Sequence, residues 1–471
     1  MSFKKDLAKY KPRKEQREAI EFIDTEYKSN PLNKFFLMNL PVGVGKSHLA
    51  LMISDWYRKN VDKTAKIDII TNSKILQDQY SETYESITDL KGKENYECES
   101  YSCSCAQGAE FNRLNKTSCE SCPYSSAREG YMGGGVSLTN FYLYILYSIY
   151  NPKIRESRDP RVLIVDEAHD FDDVMSDFIS IKITENTVKR FKFSNEYDII
   201  KRLKSVSTIS AYVDFLRFLN SEILSTMDDM EKGMASTPRN IKSDKRDLKI
   251  SKVLKTKNTD VRMMQLVNDL KQYQLKIEVF LKEYKENPNN WVLETHYNEK
   301  MKQKELSLEP IWAYDYLDKY VFSHYDMVFL MSGTILDKNL FCQLNGLDVS
   351  KAVYYSIASP FNVKNRPIYY MPLGKMSYKQ KEETFERYIP YIKKLLDKYK
   401  GRKGIIHTNS FELAKWIQDK IKDPRLVFHD SSNKDEILRM HKDSTEATVI
   451  VSPSMDTGVS FDNDSARFQI I

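Results

Sequence analysis

Long apolar runs are absent from this sequence: no stretch of about 18 apolar residues occurs anywhere in its 471 residues. A helix that spans a membrane needs about 20 such residues. The first residues, M-S-F-K-K-D-L, also lack the apolar core of a secretion signal. We therefore expect a soluble, cytoplasmic protein without a membrane partner.

A large excess of charge of one sign is also missing. The formal net charge is +6, which permits a nucleic-acid partner without requiring one. Cysteine is nearly absent outside one region, since five of the six cysteines lie between Cys98 and Cys122. Without a secretion signal, this crowding argues against disulfides and favours a metal or cluster site. The apolar fraction of 41% allows packed cores, and the length predicts two to four domains.

Residues 38–47, M-N-L-P-V-G-V-G-K-S, have the pattern of a phosphate-binding loop. The apolar residues 35–38 predict a buried strand before it, and a helical pattern follows over residues 47–56. In such loops backbone N–H groups face the phosphates, the lysine reaches the β and γ oxygens, and the hydroxyl residue binds Mg²⁺. Leu40 stands where the usual first glycine would be. The predicted nucleotide-binding residues are Gly43, Val44, Gly45, Lys46 and Ser47.

Residues 161–169, R-V-L-I-V-D-E-A-H, form the second motif. Their apolar run predicts a buried parallel strand with carboxylates at its carboxyl end, where ligands bind in such sheets. We predict that Asp166 binds Mg²⁺, that Glu167 orients and deprotonates the attacking water, and that His169 couples the nucleotide state to the rest of the protein. The alternative, two acids that cap the next helix, is disfavoured because the phosphate loop precedes them in the expected order.

Further segments extend the α/β pattern. A strand at 67–71 followed by a helix at 72–80 predicts a doubly wound α/β core, and an aromatic helix is expected from residue 139. Upstream of the loop, Arg13 and Gln16 have the spacing with which many helicase-type ATPases bind adenine. A solvated face of the predicted helix at 10–23 explains that spacing equally well.

The clustered cysteines are Cys98, Cys103, Cys105, Cys119 and Cys122, ending in a C-x-x-C pair. Four thiolates can bind a [4Fe–4S] cluster or a Zn²⁺ ion, and spacing alone does not separate these.

The stretch 171–310 is expected to be an inserted, mostly helical module with few strands, including a helix over 261–281. Its basic stretch 239–257 is either a solvated loop or a surface that contacts phosphates.

The α/β pattern resumes at 327–331 and ends in Ser332, Gly333 and Thr334, whose hydroxyls can bridge a nucleotide site and a bound strand. A second α/β set follows, with strands at 404–408, 425–428 and 447–451 and helices at 411–421 and 434–441. The loop after its third strand contains Asp456 and Gly458, and another strand begins within 466–471.

The order of these motifs resembles the XPD/DinG-like iron–sulfur helicases of superfamily 2, over nearly the whole chain. The resemblance rests on L-P-V-G-V-G-K-S, T-N-S-K-I-L-Q-D-Q-Y, L-K-G-K-E-N-Y-E-C with C-E-S-C-P-Y, the D-E-A-H box, M-S-G-T, S-P-F at 359–361 and S-M-D-T-G-V. It implies two RecA-like domains that use ATP and Mg²⁺ to move along single-stranded and forked DNA, 5′ to 3′, and to unwind it.

The resemblance also implies an iron–sulfur insertion and a helical arch insertion within the first domain. The implied cluster ligands are Cys98, Cys105, Cys119 and Cys122 around a [4Fe–4S] cluster, with Cys103 as the spare thiol. Further implied nucleotide contacts are Arg13, Gln16, Ser332, Thr334, Asp456 and Gly458. The expected domains are 1–90, 131–170 and 311–362 for the first RecA-like domain, 91–130 for the cluster insertion, 171–310 for the arch and 363–471 for the second RecA-like domain.

The family continues beyond R-F-Q-I-I into a Q-x-x-G-R-x-x-R motif that this sequence does not contain. The second domain is therefore expected to be incomplete and ATP hydrolysis to be poor. Two other functions remain open: an ATP-binding nucleic-acid scaffold without productive hydrolysis, and a zinc-containing ATPase directed at RNA. We expect a monomer, encoded by a low-GC bacterium or its phage.

Overall fold

The structure is a computed structural model that describes residues 2–100, 103–115, 119, 122–236, 250–298, 303–365, 367–375, 380–430, 432–455, 459, 461 and 464–471. The chain divides into two compact units. The first unit comprises Met1–Asn72 and Tyr80–Ser359, and the second comprises Ser73–Gln79 and Pro360–Ile471. None of the helices in these described ranges has both the length and the apolar character needed to cross a bilayer.

The strands before residue 360 are β1 (Phe35–Asn39), β2 (Ile67–Thr71), β3 (Ile87–Asp89), β4 (Val136–Asn140), β5 (Val162–Asp166), β6 (Ile181–Thr184), β7 (Trp291–Asn298), β8 (Gln303–Pro310), β9 (Met327–Ser332) and β10 (Ala352–Ser356). The helices are α1 (Ser2–Ala8), α2 (Lys14–Ser29), α3 (Lys46–Asn60), α4 (Lys74–Thr83), α5 (Cys105–Asn115), α6 (Pro123–Gly133), α7 (Phe141–Tyr150), α8 (Pro152–Arg158), α9 (Phe171–Ile179), α10 (Glu185–Phe191), α11 (Glu196–Ser205), α12 (Ile209–Ser236), α13 (Ile250–Glu286), α14 (Tyr314–Tyr320) and α15 (Lys338–Asn345).

A seven-stranded parallel sheet forms the centre of the first unit, in the order β10-β1-β9-β5-β2-β4-β3. The strands predicted at 35–38, 67–71, 162–166 and 327–331 all lie in it, and they are mostly apolar because helices cover both faces of such a sheet. Asp68 in β2 is an exception, and it is buried in an ion pair with Arg158. The parallel sheet confirms the α/β core.

Strand β4 was not predicted, because polar residues alternate along V-S-L-T-N. These residues are nevertheless buried. The Ser137 hydroxyl donates to Tyr131 O at 2.8 Å and the Thr139 hydroxyl to Leu90 O at 2.9 Å, so their polar atoms are satisfied inside the protein. The aromatic helix begins at Phe141, where the Asn140 side chain accepts the N–H of Leu143 and caps α7.

The segment between β5 and β9 contains the long helices α12 and α13, and α13 includes the predicted helix at 261–281. The described residues there are mostly helical, as predicted, and the few strands, β6, β8 and β7, form a three-stranded antiparallel sheet. Leu306 and Leu308 lie on one face of β8 and are fully buried, because side chains two residues apart in a strand share a face. Glu305 and Glu309 on the other face are half-buried, while Ser307 between them is buried. Most of the basic stretch at 239–257 lies outside the described residues.

The second unit contains α16 (Lys381–Lys398), β11 (Gly404–His407), α17 (Phe411–Lys420), β12 (Leu426–Phe428), α18 (Lys434–Asp443), β13 (Val449–Ser452) and β14 (Phe468–Ile470). Its parallel sheet has the order β12-β13-β11-β14, so the predicted strands and helices are confirmed. A Cβ at Gly404 would lie 2.4 Å from the Phe468 ring. Glycine there lets Phe468 pack on β11, where its ring also stacks on Tyr399.

Candidate nucleotide site and thiol lobe

The two decisive motifs and the S-G-T segment follow neighbouring strands. Strand β1 pairs with β9, and β9 pairs with β5, all in parallel. Asn39 lies opposite Ser332, and Asp166 lies opposite Met331. Because parallel strands end at the same edge of a sheet, the phosphate-loop motif, the D-E-A-H box and the S-G-T segment meet there, which is the usual ligand-binding edge of such folds.

The loop between β1 and α3 needs both of its glycines. Gly43 has φ of 93° and Gly45 has φ of 83°, a region that residues with a Cβ rarely adopt. A Cβ at Gly45 would also lie 2.7 Å from Gln16 Nε2. Leu40, at the position of the usual first glycine, is fully buried, and its N–H donates to Ser332 O at 2.7 Å. Leu40 thus packs beneath the loop.

Arg13 and Gln16 contact this loop. The Arg13 guanidinium donates to Gly43 O, and Gln16 Nε2 donates to Gly45 O at 3.0 Å. Gln16 Oε1 in turn accepts the Arg13 N–H at 2.9 Å. Gln16 is only 3% exposed, so it does not belong to a solvated helix face. Its binding of adenine stays a prediction.

The catalytic residues predicted from the two motifs lie together. Lys46 Nζ forms an ion pair with Glu167 Oε1 and lies 4.0 Å from Asp166 Oδ1. Asp166 is buried at the end of β5, and its Oδ1 accepts the Glu167 N–H at 3.0 Å. Burial raises the pKa of Asp166 to about 6, and the Glu167 carboxylate adds to this rise, whereas Lys46 opposes it. Asp166 therefore ionises at higher pH than an exposed aspartate, and a nearby cation favours its ionised form.

Glu167 has a left-handed backbone, with φ of 60° and ψ of 47°. For a residue with a Cβ this conformation costs about 1–2 kcal/mol. Non-glycine residues in such conformations cluster at functional sites, where the surrounding structure maintains the strain. Here the sharp turn after β5 gives Glu167 the conformation in which its carboxylate pairs with Lys46.

His169 joins the D-E-A-H box to the S-G-T segment. Its Nδ1 lies 2.8 Å from Ser332 Oγ and 3.5 Å from Glu167 Oε2. Ser332 Oγ is also 3.0 Å from Thr334 Oγ1. A chain of polar contacts therefore runs from Glu167 through His169 to Thr334, and a change at one end can reorient the other.

Sequence reasoning missed three polar residues of this site. Asp170 Oδ2 accepts the Asn72 side-chain amide at 2.7 Å, which connects the end of β2 to the turn after β5. Tyr80 is fully buried, and its hydroxyl donates to Asp166 Oδ2 at 2.8 Å. A tyrosine near the end of an amphipathic helix carries no signal of such a role, because the contact is made by tertiary packing.

The donor set fits a magnesium ion. Mg²⁺ prefers hard oxygen ligands, usually one or two carboxylates together with substrate phosphates. Ser47 in the first turn of α3 and Asp166 at the end of β5 offer a hydroxyl and a buried carboxylate. The Tyr80 hydroxyl donates to Asp166 Oδ2 at 2.8 Å, and Ser47 lies close enough to the same hydroxyl to act on its pKa, so both groups lie beside one phenol.

We use the name thiol lobe for the described residues between 90 and 133. Two pairs of its cysteines lie close together: Cys105 Sγ lies 3.5 Å from Cys122 Sγ, and the Cys98 backbone N–H donates to Cys103 O at 2.9 Å. Cys119 is exposed, and its Sγ accepts the Asn112 amide.

Within the described ranges, no three histidine, cysteine or acidic residues form a group able to bind a metal. Soft thiolates suit iron–sulfur clusters and zinc, so the chemistry of the donors fits. The four thiols of the implied ligand set, however, are not gathered into one cage, and Cys103, the expected spare, lies beside Cys98. Asp456 and Gly458, expected to contact the nucleotide, lie outside the described residues.

Comparisons with known proteins agree with this architecture. Residues 9–195 match the family model described as the Type III restriction enzyme, res subunit. A solved XPD helicase aligns with a TM-score of 0.52 at 14% identity, covering 94% of this chain and 80% of the helicase chain. The Xpd4 structure from S. tokodaii aligns with a TM-score of 0.51 at 13% identity, covering 93% and 80% of the two chains.

No curated protein sequence matches the chain. The structural likenesses show a shared fold, and the match to residues 9–195 includes the phosphate loop and the D-E-A-H box.

Proposed function

We propose that this chain is an ATP-dependent DNA helicase of the XPD/DinG-like type, which translocates 5′ to 3′ on single-stranded DNA and unwinds forked duplexes. The observation that carries the proposal is the convergence of Lys46, Asp166, Glu167 and His169 at the carboxyl edge of three neighbouring parallel strands. A phosphate loop, two carboxylates and a histidine in one site have the chemistry of nucleotide hydrolysis coupled to motion.

Each residue has a distinct role in the proposed reaction. Lys46 and the N–H groups of the loop bind the β- and γ-phosphates. Ser47 and Asp166 bind Mg²⁺, which neutralises charge on the phosphates when it is bound. The Glu167 carboxylate orients the attacking water and accepts its proton. Since Lys46 also pairs with Glu167, the γ-phosphate competes for this ammonium, and its binding releases Glu167 to act as the base.

The coupling of hydrolysis to translocation is assigned to the chain of contacts from Glu167 through His169 to Thr334. When Glu167 leaves Lys46, a movement of His169 reaches the end of β9, because His169 Nδ1 contacts the Ser332 hydroxyl directly. In this proposal the S-G-T segment transmits the nucleotide state to the bound DNA strand. Ser332 and Thr334 are thus positioning residues and not members of the hydrolytic set.

The thiol lobe is proposed to bind a [4Fe–4S] cluster through Cys98, Cys105, Cys119 and Cys122, at the point where the duplex is separated. The proposal is supported by five thiols within one small lobe, two of them on an apolar cluster that also contains Tyr124 and Tyr131. The helices and small sheet between β5 and β9 are proposed to form the arch over the DNA. The proposed domain boundaries are those expected from the sequence, with the arch at 171–310.

The decisive experiment compares ATP turnover with and without single-stranded DNA, together with displacement of a labelled strand from forks that have a 5′ or a 3′ tail. We expect slow turnover that DNA stimulates, and we expect only the 5′-tailed fork to be unwound. Lys46→Ala should abolish both activities, because an unbalanced phosphate charge in a partly buried site removes several kcal/mol of transition-state stabilisation.

The matched control is Lys59→Ala, at the other end of the same helix, where the ammonium forms an exposed pair with Asp55. This variant should keep its activity. Turnover that is equal in the wild type and Lys46→Ala would refute the assignment of the site. DNA binding and ATP binding without turnover by the wild type would favour the scaffold function instead.

A further inference from the structure

Tyr80 is fully buried beside Asp166, and the roles above give it no function. It lies on α4, in the helix that follows β2, and none of its surface is exposed. Strand β2 ends at Thr71, which pairs with Asp166 across the sheet. The segment after β2 therefore starts beside the D-E-A-H box, where Asn72 also contacts Asp170.

The Tyr80 hydroxyl connects the two motifs. It donates to Asp166 Oδ2 at 2.8 Å, and the Ser47 side chain lies close enough to act on the pKa of this hydroxyl. A phenol can donate one hydrogen bond and accept others. Because the proton goes to Asp166, the phenol oxygen can accept the Ser47 proton.

This arrangement orients both oxygens that are proposed to bind the ion. A serine hydroxyl that binds a metal through its oxygen must give its proton to another acceptor, and Tyr80 supplies one. The carboxylate of Asp166 has Oδ2 engaged by Tyr80, while Oδ1 lies on the side of Lys46. Partners of this kind, which orient metal-binding groups without touching the metal, change metal affinity about 10–100-fold when removed.

We propose that Tyr80 is a positioning residue that orients Ser47 and Asp166 to bind Mg²⁺ with the nucleotide. The inference rests on the proposed function, since it concerns the same site. Burial strengthens the effect, because no water reaches Tyr80 to replace its hydroxyl. Removal of that hydroxyl leaves Asp166 and Ser47 each without one partner and lets both side chains reorient.

The test uses Tyr80→Phe in the full chain, which keeps the ring and removes only the hydroxyl. The dissociation constant of a fluorescent, non-hydrolysable ATP analogue is measured by anisotropy over a series of Mg²⁺ concentrations and in EDTA. We expect the Mg²⁺ concentration that gives half of the maximal effect to rise about 10-fold. The dissociation constant in EDTA should stay the same, because Lys46 and the loop are intact.

Tyr84→Phe is the matched control. Tyr84 lies one turn further along the same segment and is also buried, but its hydroxyl lies 3.4 Å from His48 Nδ1 and not beside Asp166. Its Mg²⁺ dependence should equal that of the wild type. The ratio of dissociation constants with and without Mg²⁺ is taken within each variant, so a partly unfolded sample does not alter it.

Three outcomes overturn the inference. One is a Tyr80→Phe chain with the Mg²⁺ dependence of the wild type. Another is an equal loss of affinity with and without Mg²⁺, which indicates that Tyr80 only packs the core. The third is a wild-type chain that shows no Mg²⁺-dependent binding of nucleotide, which would overturn the proposed function as well.

Discussion

Replacement of Asp166 by asparagine should stabilise the protein while it abolishes ATP turnover. Asp166 is buried, and burial raises its pKa from 3.8 to about 6. At about 1.36 kcal/mol for each pKa unit, an ionised Asp166 destabilises the folded chain by about 3 kcal/mol at neutral pH. Asparagine removes the charge, and its amide loses one of the hydrogen bonds from Tyr80 and Glu167, at a cost of about 1 kcal/mol. The net gain is about 2 kcal/mol.

The stability that Asp166→Asn gains over the wild type should increase as pH rises. Below pH 3.8 the carboxyl is protonated in both the folded and the unfolded chain, so the ionisation has no effect on stability. Between pH 3.8 and about 6 the unfolded chain releases the proton while the folded chain retains it, so the stability of the wild type falls as pH rises. Above about pH 6 the full difference between Asp166→Asn and the wild type should be present.

The assay is thermal unfolding of both chains at pH 4 to 8, without Mg²⁺ or nucleotide, because ligands that bind the folded state would mask the effect. With an unfolding entropy of about 2.1 cal/mol/K per residue, about 2 kcal/mol raises the Tm of a unit of this size by about 3 °C. Asp55→Asn, which removes a carboxylate paired with Lys59 at the surface, should change stability by less than about 1 kcal/mol. A difference between Asp166→Asn and the wild type that is constant over this pH range, or negative at pH 7.5, would refute the reasoning.

Three further predictions address the base, the thiol lobe and the core. Glu167→Gln should bind ATP at least as tightly as the wild type, because the side chain that competes for Lys46 loses its charge. It should hydrolyse ATP about 10²–10⁴-fold more slowly. Normal turnover in a steady-state assay would exclude Glu167 as the base. Cys122→Ser should abolish the visible absorption of anaerobically purified protein, since a neutral serine hydroxyl does not replace a thiolate. The control Cys342→Ser, at a cysteine buried in the core, should keep that absorption. A coloured, active Cys122→Ser protein would exclude Cys122 as a ligand. Arg158→Met should lower the free energy of unfolding by about 3–5 kcal/mol, because it leaves Asp68 buried without its ion-pair partner, and a loss below about 1 kcal/mol in chemical denaturation would show that water or another cation compensates.

The nucleotide site could be predicted from local patterns. A buried parallel strand is a continuous apolar run, and a phosphate loop needs glycines at positive φ directly before a helix, so the positions of Lys46 and Asp166 follow from short stretches of sequence. Both residues lie where their motifs place them. The motifs after β1, β5 and β9 meet at one edge of the sheet because parallel strands end at the same edge.

Strands that carry polar residues could not be predicted in the same way. Strand β4 has Ser137 and Thr139 in a buried position, and nothing near them in the chain indicates that Tyr131 O and Leu90 O accept their protons. In the antiparallel sheet of β6, β8 and β7, strand β6 pairs with β8, which lies more than 100 residues further along the chain. Such pairing depends on contacts between distant segments, which periodicity within one segment does not specify.

By itself the sequence determined the α/β class, the order of its motifs and the residues proposed to bind phosphate and Mg²⁺, because each motif depends on its near neighbours in the chain. Only the tertiary structure decided which groups surround them. It placed Tyr80 between Ser47 and Asp166, His169 against Ser332, and Gln16 beneath the loop. These contacts join residues from different strands and helices, and their existence depends on how the chain packs around a common sheet edge, which no local pattern encodes.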